Sequence, residues 1–259
     1  MMFKAVVFDW AGTTIDFGSF APMGVFVAAF ARFGVTATVA QARAPMGMPK
    51  WLHIRTMLND ADLAAQWLAA QGSEADDRAV DAVYKVFVPM NEEVVAGYAV
   101  LVPGAREAVD ALREMGLKIG STTGYTRSIM ERVLPVAAAQ GYAPDNLVCA
   151  DDLPEGRPGP LQMYQTFIDL RVYPASAVIK VDDTEPGIAE GVAAGCLTVG
   201  VAMSGNIVGL TPEDLAVTAP DEIARLREVA TSRLKAAGAD HVIDTVADLP
   251  ALIVRLSQA

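Results

Sequence analysis

From residue 98 onward, short apolar stretches typical of buried strands alternate with stretches that have helical periodicity. The predicted strands are Leu117–Thr123, Asn146–Ala150, Ala177–Val181, Cys196–Ala202 and His241–Ile243. The predicted helices are Pro103–Met115, Thr126–Gln140, Leu161–Leu170, Glu185–Ala194, Pro212–Ala237 and Ala247–Ser257. Such alternation favours right-handed crossovers, a mainly parallel sheet and helices on both of its faces. With the apolar strand Ala5–Phe8 added, this part of the chain is predicted to form a doubly wound α/β core.

Between residues 18 and 97 the pattern is helical throughout, with no convincing strand. The predicted helices are Ala21–Phe33, Thr38–Ala44, Pro49–Leu58, Ala61–Ala70 and Ala75–Ala96. Apolar side chains form one stripe along the first helix, which indicates a core or, alternatively, a subunit interface. We therefore predict an all-helical cap domain, residues 18–97, inserted into a core domain of residues 1–17 and 98–259.

The overall charge excludes several classes of partner. The 259 residues carry a formal net charge of −11, which argues against binding to nucleic acid or to an anionic membrane. No apolar run approaches the roughly 20 residues of a membrane span. The first strand begins so early that no signal peptide is expected, and two cysteines, Cys149 and Cys196, cannot make a disulfide framework. A cytoplasmic protein is the expectation.

Polar side chains follow four of the predicted strands, at the edge where open α/β sheets bind their ligands. Asp9 follows the first strand. The other strand ends carry Ser121-Thr122-Thr123-Gly124, then Asp151-Asp152 with Gly156-Arg157-Pro158 beyond, and finally Asp182-Asp183-Thr184. Taken singly, each aspartate is compatible with a simple turn or helix cap. Their joint appearance favours a site for phosphate chemistry.

Carboxylates of Asp9 and of the 182–183 pair would repel each other unless a cation lay between them. Oxygen ligands beside a phosphate select Mg²⁺. The metal would then allow the anionic Asp9 to approach a phosphoryl group as a nucleophile. Thr123, its neighbouring N–H groups and Arg157 are expected to hold the phosphoryl oxygens.

These stretches resemble the four motifs of the haloacid dehalogenase superfamily, and the likeness covers essentially the whole chain, including a cap inserted after the first motif. Within the superfamily the chain is most similar to the phosphonatase family. The supporting stretches are Phe8–Thr14, Gly18–Pro22, Pro45–Lys50, Gly120–Tyr125, Gly156–Pro158 and Lys180–Thr184.

The resemblance also implies roles for particular residues. Its metal ligands are Asp9, the Ala11 carbonyl and Asp183, although spacing alone leaves Asp182 and Asp183 as alternatives. Further residues are implied to contact the substrate: Met46, His53, Thr123, Gly124 and Arg157. A homodimer formed through the cap is implied as well.

Two positions depart from the general pattern of the superfamily. Its phosphatases carry a second aspartate two residues after the nucleophile, to protonate the leaving alcohol, and here that position is Ala11. Lys50 lies in the cap between Pro45–Pro49 and Trp51-Leu52, an apolar setting that is expected to lower the pKa of its amine. His53, on the same helical face, either relays protons or only packs.

Together these departures suit the cleavage of a carbon–phosphorus bond. A neutral Lys50 amine can form a Schiff base with an aldehyde, and the resulting imine accepts the electrons of the breaking bond, so that no acid is needed at residue 11. The resemblance implies that the substrate is phosphonoacetaldehyde, in the degradation of 2-aminoethylphosphonate. Cap closure is expected to bring Lys50 onto Asp9 and to exclude water.

Other functions remain open on the sequence alone. A phosphatase or phosphomutase of the same superfamily is disfavoured by Ala11 and by the apolar setting of Lys50. A haloacid dehalogenase would use Asp9 on carbon without a metal, which leaves the acidic pair unexplained. A non-catalytic protein that binds phosphorylated ligands gives no reason for Asp9 and Lys50 to occur together.

Overall fold

A computed structural model describes residues 3–258 of the chain. Its centre is a five-stranded sheet, entirely parallel, with the strand order β2-β1-β3-β4-β5. The strands are β1 (Ala5–Phe8), β2 (Lys118–Ser121), β3 (Val178–Asp182), β4 (Leu197–Val201) and β5 (His241–Ile243). The predicted doubly wound, mainly parallel core is confirmed.

The sheet is buried on both faces because successive side chains of each strand point to opposite sides. In β1, Val6 and Phe8 pack on one face, while Ala5 and Val7 pack on the other. The first face is covered by α6 (Ala105–Glu114), α7 (Arg127–Ala139) and α12 (Leu249–Gln258). The second is covered by α8 (Leu161–Leu170) and α9 (Glu185–Ala194), with α10 (Pro212–Val217) and α11 (Pro220–Ala236) beyond.

The register of β1 places the end of that strand between the ends of β2 and β3. Phe8 pairs with Ser121 of β2 on one side and with Val181 of β3 on the other. The next residue along each strand is therefore Asp9, Thr122 or Asp182. The strand ends that carry the candidate chemistry are thus neighbours in space.

Residues 21–98 form five helices that enclose an apolar core of their own. They are α1 (Ala21–Ala31), α2 (Val39–Arg43), α3 (Lys50–Leu58), α4 (Ala61–Gln71) and α5 (Asp77–Tyr98). Phe26 of α1 stacks on Phe87 of α5 with their ring centroids 4.2 Å apart, and both side chains are fully buried. The apolar stripe of α1 therefore lies mainly inside this helical core. We propose that these helices are the cap domain.

The two chain crossings between the core and the helical unit run side by side. Ile15 and Leu101 form an antiparallel bridge, and the Asp16 amide donates to the Val100 carbonyl at 3.0 Å. The buried Asp16 carboxylate accepts from two backbone amides at the start of α1, those of Phe20 and Ala21, at 3.0 and 2.9 Å. This carboxylate caps the first cap helix and ties it to the crossing.

One predicted strand is wrong, because Asn146–Ala150 does not form a strand of the sheet. It runs beside the end of β2, where it makes one isolated bridge, between Thr122 and Val148. The ladder stops there because the Asn146 side-chain oxygen accepts from the Ser121 amide at 3.2 Å, in place of a backbone carbonyl. Elsewhere the predicted ends shift by a few residues, and the predicted helix Pro212–Ala237 is interrupted at Thr218.

Both cysteines carry free thiols. Cys149 is buried, whereas Cys196 is only half-buried. Among residues 3–258, none of the helices combines the length and the apolar character that crossing a bilayer requires.

Replacement of Phe87 by Ala should destabilise the protein by about 3 to 5 kcal/mol, since a fully buried ring is lost and a cavity is left in the helical core. Chemical denaturation measures this loss. Val94→Ala on the same helix is the matched control, because Val94 is partly exposed and its loss should cost far less. Equal effects of the two substitutions would contradict the assigned core.

Candidate active site

A small cavity lies between the carboxyl edge of the sheet and the N-terminal end of α3. It is lined by Asp9, Ala11, Met46, Gly47, Lys50, Thr123, Gly124, Tyr125, Arg157 and Thr184, and its volume is about 20 Å³. Most of the residues predicted from the sequence therefore meet in one place. Tyr125, Gly47 and Thr184 line it as well, and their only signal in the sequence was their position inside the motif stretches.

The turn after β1 places Asp9 against Asp183. Thr13 Oγ1 donates to Asp183 Oδ1 at 3.0 Å, and Thr14 Oγ1 donates to the Asp9 carbonyl at the same distance. Gly12 has a φ of +86°, and a Cβ on it would lie 2.3 Å from Asp183 Oδ2. Only glycine therefore allows this turn to approach the Asp183 carboxylate so closely.

A buried network of charges surrounds the Arg157 guanidinium. Its Nη1 donates to Asp9 Oδ1 at 2.8 Å and lies 3.4 Å from Asp182 Oδ2, while its Nε donates to Glu190 Oε2 at 3.1 Å. Lys180 Nζ lies 3.1 Å from Asp182 Oδ2 and 2.9 Å from Glu190 Oε2. Paired charges of this kind can stay ionised in the interior, whereas a single one would be costly.

Lys180 and Glu190 were not predicted from the sequence to be part of the site. A signal was available for Lys180, because a charged residue in an otherwise apolar buried strand requires a buried partner. Its distance of two residues from Asp182 also places both on one side of β3. Glu190 lies among small and apolar residues of α9. A charged residue in that setting also indicates a buried partner.

Asp151 and Asp152 were expected at this edge of the sheet, and the structure places them elsewhere. Asp151 accepts from the Arg127 amide at the start of α7 at 2.7 Å, and Asp152 pairs with the Arg127 side chain. Both residues are exposed, and their carboxylates bind Arg127 at the N-terminal end of α7. Their displacement follows from the missing strand at Asn146–Ala150.

The three remaining aspartates have different electrostatic environments. Burial, followed by the Asp182 charge, raises the pKa of Asp9 to about 6, although Arg157 and Lys180 oppose the shift. Burial acts to raise the pKa of Asp182 too, but Arg157 and Lys180 hold it below its ordinary value. Burial and the charges of Asp9 and Asp182 raise the pKa of Asp183 well above its ordinary value. The positive charge near Asp9 thus compensates its carboxylate only in part, and Asp183 has less compensation still.

This donor set fits a divalent metal ion. Asp9, Asp182 and Asp183 each offer an oxygen, and these atoms all lie within 4.8 Å of one another. A cation would relieve the repulsion that raises the pKa of Asp9 and Asp183, and all-oxygen donors suit Mg²⁺. Because Asp182 is already neutralised by Arg157 and Lys180, the geometry favours Asp183 over Asp182 as the second carboxylate ligand. Ala11 lines the same cavity, where its carbonyl is the further expected donor.

Lys50 is the first residue of α3 and is 3% exposed. Burial lowers the pKa of its amine to about 8, although the Asp9 charge acts in the opposite direction. Its Nζ lies 3.9 Å from Met46 Sδ and 5.0 Å from the centre of the Tyr125 ring, and both are weak partners for an ammonium. A substantial fraction of the amine is therefore neutral near pH 8.

His53 does not line the cavity. Its ring stacks on Phe26 at 3.9 Å between centroids, and its Nε2 lies 2.8 Å from the Ala42 carbonyl, which requires a proton on that nitrogen. Burial, followed by the Lys50 charge, lowers the pKa of His53 well below its ordinary value. His53 is thus a neutral ring in the helical core, one turn away from Lys50.

Glycines bring the cap and the core together around the cavity. A Cβ on Gly47 would lie 2.2 Å from Thr184 Oγ1, and a Cβ on Gly124 would lie 2.9 Å from the Met48 carbonyl. Each contact joins a loop of the helical unit to an end of the sheet. Larger residues at these two positions would separate Lys50 from Asp9.

Comparison with known proteins places these features in context. A family model described as haloacid dehalogenase-like hydrolase matches residues 3–195. The chain is 51% identical over 246 residues to a phosphonoacetaldehyde hydrolase of Paraburkholderia phytofirmans, covering 95% of this chain and 92% of that protein. It is 47% identical to a Bordetella pertussis protein of the same name, covering 96% and 91% of the two chains. The crystal structure of a phosphonoacetaldehyde hydrolase-like protein from Oleispira antarctica is similar, with a TM-score of 0.97, 42% identity, and coverage of 100% of this chain and 94% of that one.

Mg²⁺ should raise the melting temperature of the wild-type protein, and Asp183→Asn should abolish that rise because a metal ligand is lost. Without metal, Asp183→Asn should not lower stability, since it removes one of three repelling carboxylates. Thermal unfolding with and without Mg²⁺ measures both effects.

Two further variants sharpen the same measurement. Asp110→Asn, on the exposed surface of α6, should behave like the wild type. Asp182→Asn should lower stability even without metal, because it removes one of the buried carboxylates that share the positive charge of Arg157 and Lys180. A metal response lost in Asp182→Asn but kept in Asp183→Asn would reverse the assignment.

Proposed function

The chain belongs to the haloacid dehalogenase-like hydrolase family, and we propose that it hydrolyses the carbon–phosphorus bond of phosphonoacetaldehyde, releasing acetaldehyde and phosphate. Relatives with this name match almost the whole chain. The observation that carries the proposal is local. A buried amine, Lys50, and a carboxylate, Asp9, line one cavity, while Ala11 stands where a phosphatase needs its acid.

In the first step, the neutral Lys50 amine attacks the aldehyde carbon, and loss of water leaves a protonated imine. The amine is suited to this role because burial lowers its pKa and because its neighbours, Met46 and Tyr125, offer it no strong hydrogen bond. The imine is an electron sink adjacent to the carbon–phosphorus bond.

In the second step, an oxygen of Asp9 attacks phosphorus. A phosphorus–oxygen bond forms and the carbon–phosphorus bond breaks, so that its electron pair moves into the imine and gives an enamine. Arg157, 2.8 Å from Asp9, and Thr123 are suited to holding the phosphoryl oxygens. Water then hydrolyses the aspartyl phosphate, the enamine is protonated, and hydrolysis of the regenerated imine frees acetaldehyde and Lys50.

A bound Mg²⁺ would neutralise charge between Asp9 and the phosphoryl group. Asp9, Asp183 and the Ala11 carbonyl are the proposed ligands. Asp182 has a different proposed role, because together with Lys180 and Glu190 it fixes the Arg157 guanidinium, so that Nη1 faces Asp9.

Three further features belong to the proposal. The reaction would serve the degradation of 2-aminoethylphosphonate, which yields this aldehyde when its amino group is removed. The protein would be a homodimer joined through the cap, which sedimentation can test. It would act in the cytoplasm, in keeping with two free thiols.

Borohydride added with phosphonoacetaldehyde should reduce the imine and fix a covalent adduct on Lys50, which peptide mass spectrometry locates. Lys50→Arg should give no adduct and should lose phosphate release, since a guanidinium cannot form the imine. Lys85→Arg, on α5, is the control and should remain active.

The same preparations distinguish the rival reaction. Asp9→Ala should abolish phosphate release, and an alkyl phosphate monoester should be a poor substrate because Ala11 supplies no acid to protonate its alkoxide leaving group. Efficient cleavage of the alkyl phosphate monoester by Lys50→Arg would replace the proposal with a phosphatase.

The rate of imine formation should rise with pH through about 8. The sign follows from the lowered pKa of Lys50, because the neutral amine is the nucleophile and is populated only as the pH passes that value. The pH dependence of borohydride trapping measures it, with a model amine as reference. A trapping rate that rises only near pH 10, where an ordinary lysine loses its proton, would contradict an activated Lys50.

A further inference from the structure

We propose that Arg43, at the end of α2, is a positioning residue that holds the metal ligand Asp183 through Asn206 when the cap lies on the core. This inference rests on the proposed function, in which Asp183 binds the metal. We call the chain of contacts Arg43–Asn206–Asp183 the Arg43 clamp.

The first link joins the cap to the core. Arg43 Nη1 lies 3.0 Å from Asn206 Oδ1 and 3.3 Å from the Asn206 carbonyl, and Asn206 Nδ2 donates back to the Arg43 carbonyl at 3.3 Å. Arg43 and Asn206 are thus bound to each other by side chain and backbone in both directions. Asn206 is 6% exposed, so water competes little for these bonds.

The second link joins Asn206 to the site. Its backbone amide donates to Asp183 Oδ2 at 2.7 Å, while Thr13 holds the other oxygen of the same carboxylate. The rotation of the Asp183 carboxylate is therefore fixed by one donor from each side. Groups that orient a metal ligand in this way affect metal affinity although they do not touch the metal.

The loop around Asn206 is shaped to receive Arg43. Gly209 has a φ of +60°, and a Cβ on it would lie 2.7 Å from Arg43 Cζ, so that the guanidinium occupies the space left by the missing side chain. Phe20 covers the guanidinium at 4.8 Å from its ring centroid. Arg43 Nη1 also lies 2.7 Å from the Gly18 carbonyl, in the chain crossing.

The loss of the Arg43 charge and the loss of the Arg43 contacts should change the Mg²⁺ affinity in opposite directions, which makes the clamp testable. The guanidinium is attracted to Asp183, so removing its positive charge would by itself favour a cation at Asp183. Loss of the clamp would instead weaken metal binding, because Asp183 loses its fixed orientation. A weaker affinity therefore cannot be a charge effect.

The experiment measures Mg²⁺ binding to the full chain by titration calorimetry, without substrate. Arg43→Ala should weaken the affinity about 10-fold, the size typical of lost outer contacts of a metal ligand. Arg43→Lys should keep most of the affinity, since one nitrogen reaches all the acceptors. Arg55→Ala is the control, because Arg55 pairs with Asp77 at the exposed surface of the helical unit. This variant should bind Mg²⁺ like the wild type.

A double-mutant cycle tests the route through Asn206. Asn206→Ala keeps the amide that faces Asp183 but removes both side-chain bonds to Arg43. If Arg43 acts through Asn206, the double variant should be little worse than either single one. Independent effects that multiply, an unchanged affinity in Arg43→Ala, or an Arg43→Lys variant as weak as Arg43→Ala would each overturn the clamp.

Activity provides a separate readout. Phosphate release by Arg43→Ala at low Mg²⁺ should fall and should recover as Mg²⁺ is raised. Because Mg²⁺ also stabilises the folded state, thermal unfolding without metal is measured alongside, and a merely unstable variant is recognised by its lower melting temperature. If the wild type itself released no phosphate from phosphonoacetaldehyde, the proposed function would fail, while the calorimetric test of the clamp would stand.

Discussion

The contact between Arg157 and Asp9 is the interaction on which the rest of the site depends. A guanidinium that is 1% exposed can be held there only because Asp182 and Glu190 share its charge, and those carboxylates in turn require Lys180. The parallel sheet makes this balance of charge possible, since neighbouring strands end side by side. The negative charge of Asp9 and Asp183 is then only partly balanced, because the Arg157 that contacts Asp9 also contacts Asp182 and Glu190. That remainder makes a divalent cation fit the site.

The sequence was most informative where one residue type has few structural explanations. Two apolar strands, one ending in Asp9 and the other in Asp182-Asp183, predicted the sheet. They also predicted that the candidate site lies at the carboxyl edge of that sheet. The prediction was wrong at Asn146–Ala150, where side-chain oxygens of Asp145 and Asn146 take the β2 amides in place of backbone carbonyls, and Asp151-Asp152 lie elsewhere as a result. The sequence also cannot reveal that Arg43 meets Asn206, since pairing across two domains depends on packing and not on local spacing. The buried ion pairs of Lys180 could have been predicted, because a charged residue inside a buried strand requires a partner.

Cap and core meet through backbone as much as through side chains. Gly47 lies against Thr184 and Gly124 against the Met48 carbonyl, so the cavity between them is small. A cavity of this size holds little water, which strengthens every charge interaction inside it and would protect the proposed imine on Lys50 from early hydrolysis. In the proposed reaction, substrate would enter before these glycine contacts form. The Arg43 clamp would then connect their formation to the orientation of Asp183.

The paired chain crossings have a consequence for the folding of the protein. Strands β1 and β2 are neighbours in the sheet, yet the whole helical unit lies between them in the chain. Closing so long a loop is entropically costly, and pairings distant in sequence form slowly. A helical unit that folds first brings Asp16 and Val100 within hydrogen-bond distance, and so shortens the loop that the sheet has to close. The insertion that covers the finished active site can thus also act as the local nucleus from which β1 and the edge strand β2 are brought together.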